Sequence, residues 1–252
     1  LAENANEHHY YLSYKPEFIA QGSILSDLQH PDQMLIGAAD DIAADKLISA
    51  YARIHRSKPA VFRMSLLSAE IAKLATNCFL TMKISFANAI GDLCAQVGAD
   101  PDQVLSLIGS DGRIGNKFLR YGFGYGGPCF PRDNRALSHY AGQQGVPLLL
   151  SKATDEANQR HLEFQVARYL SEYGPEDAIH FTSVSYEAGT MILEESQQLA
   201  LALRLAGAGR RVIIQDCEEV ISQLKVQYGN MFEYEDPAVR GGSGRNQPPA
   251  PP

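Results

Sequence analysis

The sequence predicts an α/β chain organised around one long helix, and three observations carry that prediction. Apolar or alternating runs at 10–14, 34–37 and Ala60–Met64 read as short strands, with a helical pattern over 41–53 between the last two. From Leu66 to Val97, apolar residues recur at steps of three and four. Further on, a run at 178–185, a helical pattern at 194–206 and a second run at Arg211–Gln215 give a strand, helix, strand order.

Taken in order, the first strands form a βαβ-like unit. A parallel sheet normally has both faces covered and several strands, so this piece by itself leaves an exposed edge. In the long helix, Ile71, Leu74, Ala75, Cys78, Phe79, Met82, Phe86, Ala89, Ile90, Leu93 and Val97 fall on one stripe at about 100° per residue. Lys73 and Asn77 lie one turn apart on the opposite face, where an exposed polar surface is the plain expectation. Gly98 suits the end of this helix. Asp100, Pro101 and Gln103 then supply the N-cap, first-turn proline and capping-box glutamine of the next, which Gly109 closes. A connector near 141–150 leads to a helix over 154–173. The tail at 241–252, dominated by Gly, Ser and Pro, has the composition of a disordered end or a linker.

Composition bounds the partners. With 252 residues and 45% apolar content, the chain is ordinary for a folded globular protein. A formal net charge of -7 argues against general affinity for nucleic acid or anionic membranes, both of which reward a basic surface. Four cysteines without a CxxC pair or a nearby histidine indicate neither a metal site nor a disulfide framework, which fits a reducing cytoplasm. No apolar run is expected to reach the length of a membrane span, and no secretion signal is visible. His8 and His9 read as a surface pair, and the opening at Leu1 suggests a fragment. The one concentration of cations is local. Residues 111–135 hold Arg113, Lys117, Arg120, Arg132 and Arg135 against Asp111 and Asp133, a pattern that suits a solvated basic face or a diphosphate site.

Within that basic stretch lies the most distinctive segment, Gly126-Gly127-Pro128-Cys129-Phe130-Pro131-Arg132-Asp133. A neighbouring guanidinium favours a thiolate, and glycines let a ligand approach the backbone. Cys78, Cys94 and Cys217 sit at packing positions instead. Residues 122–127 formally match GxGxxG, yet the dinucleotide fingerprint needs a strand before it and a helix opening after it. Pro128 and Pro131 follow here and no strand precedes, so the match is rejected.

Together with residues 113–120, this segment resembles the cysteine loop of the UDP-glucose/GDP-mannose dehydrogenase family, enzymes that oxidise a sugar C6 alcohol to a carboxylate with NAD. Pro16-Glu17-Phe18-Ile19-Ala20-Gln21-Gly22 resembles the family's PEFxxEG segment, and Glu70-Ile71-Ala72-Lys73-Leu74-Ala75-Thr76-Asn77 its ExxKxxxN helix. The resemblance implies a remnant of a Rossmann-like NAD-binding domain over 1–64 and a central helical domain over 65–150 whose long helix makes a homodimer. It further implies an abbreviated C-terminal Rossmann-like α/β domain over 151–240.

The resemblance also implies roles. Cys129 is the nucleophile that forms a thiohemiacetal and then a thioester. Lys73 and Asn77 stabilise the oxyanion at C6. Asp133 positions Lys73 and a water, and Glu17 is the general base of hydrolysis. The nucleotide sugar is bound by Phe18, Ile19, Ala20, Gln21, Arg113, Lys117, Phe118, Leu119, Arg120, Tyr121, Gly122, Phe123, Gly124, Tyr125 and Gly126, and the cofactor by Gln21, Cys129 and Arg132. Three positions depart from the family pattern: Gln21 replaces a glutamate, Glu187 a lysine and Glu194 an arginine. Exchanging cations for anions beside a diphosphate loses attraction and adds repulsion. A catalytically degenerate dimer that binds a nucleotide sugar, or serves as a scaffold, is therefore the alternative.

Overall fold

The computed structural model describes residues 12–18, 23–187 and 189–235. They fall into two compact units, with the division after Thr76. In the first, β1 (Ser13–Tyr14), β2 (Gln33–Ala38) and β3 (Ala60–Met64) form a sheet in the order β1-β2-β3. β2 and β3 run parallel with Gln33 opposite Ala60, whereas β1 pairs antiparallel to β2. Between them lie the short α1 (Ile24–Gln29) and the crossover α2 (Asp41–Tyr51), whose N-cap Asp40 accepts the Ala43 amide at 2.8 Å. Met34, Ile36 and Ala44 form its small core. β3 leaves Val61 and Phe62 exposed, the uncovered edge that the sequence implies.

The second unit follows the course of α3 (Leu66–Val97) into α4 (Pro101–Ser110), α5 (Phe130–Gln143) and α6 (Leu149–Glu172). Beyond them, β4 (Ala178–Phe181), α7 (Gln197–Gly207), β5 (Arg211–Gln215), α8 (Glu218–Tyr228) and β6 (Glu233–Glu235) build a parallel sheet in the order β4-β5-β6. Its core gathers Phe181, Val184, Leu201, Leu205, Ile214, Val220 and Leu224.

Several elements differ from the sequence reading. α5 arises where glycine and proline suggested a loop, because Pro131 falls in its first turn, where the backbone amide has no intrahelical partner. α6 begins at Leu149, shortening the expected connector. β4 stops at Phe181 because Asp216 accepts the Val184 amide at 2.9 Å and the Ser183 hydroxyl at 3.1 Å, drawing the chain out of the sheet. α7 begins at Gln197 because Ser196 caps it, accepting from the Leu199 amide.

The largest difference concerns α3. Contrary to the expectation about membrane spans, it is long and apolar enough to cross one by length and composition, a test that a core helix also passes. Its orientation is inverted relative to the simple rule. Phe79, Phe86, Leu93 and Val97 are exposed, while Asn77, Thr81, Ser85 and Asn88 are buried. Asn77 is therefore not on an exposed face: it is 5% exposed.

Candidate active site

Cys129 stands at the N-cap position of α5 and is exposed, and its carbonyl accepts the Asp133 amide at 2.8 Å as the helix begins. One turn inward, Asp133 is 4% exposed and uses both carboxylate oxygens. Oδ2 accepts Asn77 Nδ2 at 2.7 Å, and Oδ1 accepts the Arg132 guanidinium at 3.0 and 3.1 Å. A buried carboxylate needs such partners, since an unpaired one is expensive to desolvate. The structure thus brings Asn77, Cys129, Arg132 and Asp133 together. Arg132 spends its charge largely on Asp133, with Glu194 also within electrostatic reach.

The loop before Cys129 lies outside regular structure, and its inner stretch is buried. Leu119 packs with Ala87 and Leu105, and residues 122–125 are all buried. Phe118 adopts a φ of 59°, a region that bulky residues rarely enter, with its ring edge-on to Phe130 at 6.3 Å. Gly127 has a φ of 77°, and a Cβ there would lie 2.6 Å from the Tyr186 ring, so conformation and space both demand glycine. Tyr186 is held protonated by its burial and then by the adjacent Glu187. Arg113, Lys117 and Arg120 lie on the outer course of the loop and are exposed, Arg113 forked onto Asp111 at 2.6 to 3.2 Å.

In the first unit, Glu17 forms an ion pair with Lys15, whose ammonium lies 3.9 Å from the Tyr51 ring centroid. Burial raises the Tyr51 phenol, helped by Glu17, and burial lowers His55, helped by Lys15. Lys73 sits 4.8 Å from the Phe18 ring centroid, a cation-π contact. Ile19, Ala20 and Gln21 lie outside the described residues, as do His8, His9 and the tail at 241–252.

Sequence reasoning missed Asn88, Asp92, Asn158, His161 and Gln165, which all bond to the loop or to one another. A signal was present. Asn77, Thr81, Ser85, Asn88 and Asp92 recur at helical spacing on α3, and Ser151, Thr154, Asn158, His161 and Gln165 on α6, forming polar stripes as regular as any apolar one.

A cradle for NAD requires a glycine turn between a strand and a helix N-terminus. Among the described residues, only 122–127 offer the glycine spacing. α5 does open soon after it, but no strand precedes it and its backbone is buried. The described residues do not fit the dinucleotide.

The sequence signature of the UDP-glucose/GDP-mannose dehydrogenase family, central domain, matches residues 67–160. The chain is 36% identical over 219 residues to the UDP-glucose 6-dehydrogenase of Pseudomonas aeruginosa, covering 86% of this chain and 48% of that protein. It is 33% identical over 231 residues to UDP-glucose 6-dehydrogenase YwqF of Bacillus subtilis, covering 90% and 52% respectively. Among solved structures, a UDP-glucose dehydrogenase from the archaeon Pyrobaculum islandicum superposes with a TM-score of 0.84 at 30% identity, over 95% of this chain and 54% of that one. The chain spans about half the length of the curated relatives it matches.

Proposed function

Since the chain belongs to the UDP-glucose/GDP-mannose dehydrogenase family, we propose that it carries the reactive thiol and the sugar-binding loop of a nucleotide-sugar 6-dehydrogenase. The observation that supports this best is the disposition of α5: an exposed Cys129 at its first turn, backed by a buried Asp133 bonded to Asn77. An aldehyde at the sugar C6 has no leaving hydride until its carbon becomes tetrahedral. The thiolate sulfur of Cys129 bonds to that carbon, the carbonyl π pair moves to oxygen, and a proton taken up there completes the thiohemiacetal. Asn77 and Lys73, one turn apart on α3, are suited to stabilising that oxygen. Glu17 is the base assigned to thioester hydrolysis, with Lys15 and Tyr51 fixing its carboxylate. The hydride acceptor in this reading is NAD, for which the family resemblance implies Gln21, Cys129 and Arg132 as contacts.

The exposed stripe of α3 supports a homodimer, and the family relationship supports a cytoplasmic location. The sequence-based division into 1–64, 65–150 and 151–240 is retained as the proposed domain plan. A second reading, a homologue that binds a nucleotide sugar without turning it over, is favoured by Glu194 lying within reach of Arg132.

Calorimetry with UDP-glucose and GDP-mannose, together with iodoacetamide labelling of Cys129, tests the proposal. A bound nucleotide sugar should slow Cys129 alkylation, and unchanged alkylation at saturating ligand would refute it. A rise in absorbance at the reduced-nicotinamide band on adding NAD would eliminate the second reading, whereas its absence fits both. The chain by itself is expected to show binding without turnover.

A further inference from the structure

A buried loop outside regular structure has to find partners for its peptide groups, and those of Gly122 and Tyr125, with the Phe123 carbonyl, find theirs in side chains of two helices. From α3, Asn88 accepts the Gly122 amide at 3.0 Å and donates to the Phe123 carbonyl at 3.1 Å. From α6, Asn158 accepts the Tyr125 amide at 3.0 Å and donates to the Tyr125 carbonyl at 2.9 Å. A carboxamide carries the same donor and acceptor as a peptide, so each asparagine serves the loop as a neighbouring strand would. The Gly122 carbonyl accepts from His161 Nε2 at 2.7 Å and Gln165 Nε2 at 3.2 Å. His161 is fixed in turn, its Nδ1 lying 2.9 Å from both Asp92 oxygens, and Asp92 also accepts the Tyr121 hydroxyl at 2.9 Å. Contact is close enough that a Cβ on Gly124 would lie 2.3 Å from Asn158 Oδ1.

We propose that Asn88, Asn158 and His161 are positioning residues that clamp residues 122–125 from both sides and so set the direction in which Cys129 is presented. The idea rests on the reading of Cys129 as the reacting thiol, but the clamp can be tested without a ligand. None of the three touches the reacting atoms in this scheme. They act through the backbone, holding the loop in one conformation before a ligand arrives, which lowers the ordering needed on binding.

Hydrogen exchange followed by NMR on the intact chain provides the test. In the wild type, the Gly122 and Tyr125 amides should exchange at least tenfold more slowly than that of Gly126, for which no acceptor exists among the described residues. Equal rates overturn the clamp, and this measurement needs no variant to fold. Asn88→Asp and Asn158→Asp keep the acceptor and the shape but remove the donor to Phe123 or Tyr125. Each should speed loop exchange about tenfold and change the alkylation rate of Cys129, leaving exchange in β5 and alkylation of Cys217 as they were. His161→Leu should leave the Gly122 carbonyl to Gln165 alone and speed loop exchange by less than the asparagine variants do. Variants that slow or speed all amides together would assign these residues to general stability and sink the proposal. If the clamp behaves as stated while UDP-glucose and GDP-mannose leave Cys129 unprotected, the clamp stands and the functional reading fails.

Discussion

The two faces of α3 are opposites in chemistry and in fate. Outward, Phe79, Phe86, Leu93 and Val97 present a ladder of apolar side chains to solvent, while inward Asn77, Thr81, Ser85 and Asn88 are all but fully buried. Ala87 packs on Leu105 of α4, but most of the inward face does not meet an apolar helix. It meets a loop and a helix that is itself polar on the facing side, with Ser85 donating to the Thr154 carbonyl at 3.2 Å. A loop brings unpaired peptide groups, so the surface that receives it has to be rich in donors and acceptors. Which face of a helix is buried therefore depends on what it is buried against, and the apolar ladder is left for a second copy of the chain in the proposed dimer.

The sharpest way to break this contrast is to crowd the inward face. A Cβ on Gly91 would lie 1.9 Å from the Tyr121 ring, and that ring is held by its hydroxyl on Asp92. Gly91→Ala should gain about 1 kcal/mol of helix propensity yet lose about 3 kcal/mol to overpacking, for a net loss read in urea denaturation. A neutral or stabilising result would mean that this face does not pack against Tyr121. Asn77→Ala follows, with an expected loss of about 1–3 kcal/mol because the buried Asp133 carboxylate then keeps, among the described residues, only its arginine contact. Equal stability would show that Asp133 finds water as readily as Asn77.

The outward face should respond in the opposite manner. Phe86→Asp should shift monomer stability by no more than about 0.5 kcal/mol, as substitutions on open surface do, while abolishing self-association. Sedimentation at micromolar concentration checks both halves. A wild-type chain that is strictly monomeric would remove the second copy from the comparison, and a Phe86→Asp variant that unfolds would show that the stripe already has a partner within the chain.

The same contrast explains what the sequence could and could not disclose. β2, β3, α3, α4 and β5 were legible because period, caps and breakers agree there, as with Asp100 accepting the amides of both Asp102 and Gln103. α5 was hidden by Pro128, Pro131 and the glycines, since proline at a helix start and proline in a loop look alike without the preceding geometry. Cys129 and Asp133 were legible from their local company, but Asn88, Asn158 and His161 were not. Their partners are backbone atoms from 33 to 39 positions away in sequence, and no side-chain pattern announces a bond to a peptide group. The polar periodicity was there to be seen, yet by hydropathy alone a regular polar stripe reads as a wetted surface.

The smallest effect on stability, and the most direct question put to the chemistry, concerns the four thiols. Cys129 is exposed, Cys94 is buried on the inner side of α3, and Cys78 and Cys217 are half-buried. Burial raises the Cys78 thiol above its ordinary value, with the charges of Asp133 and Asp155 adding to the effect. Limited iodoacetamide followed by mass spectrometry should therefore label Cys129 first, and Cys78 should lag most near neutral pH. Because the thiolate is the reacting form, the Cys78 rate should keep rising with pH after that of an ordinary thiol has levelled, so the gap narrows in alkaline buffer. Early labelling of Cys78 or Cys217 would place the reactive thiol elsewhere and detach Cys129 from the nucleophile role. Cys129 first, with Cys78 catching up only as pH rises, would mean that the polar inward face shelters one thiol from reaction while the clamped loop holds the other out to it.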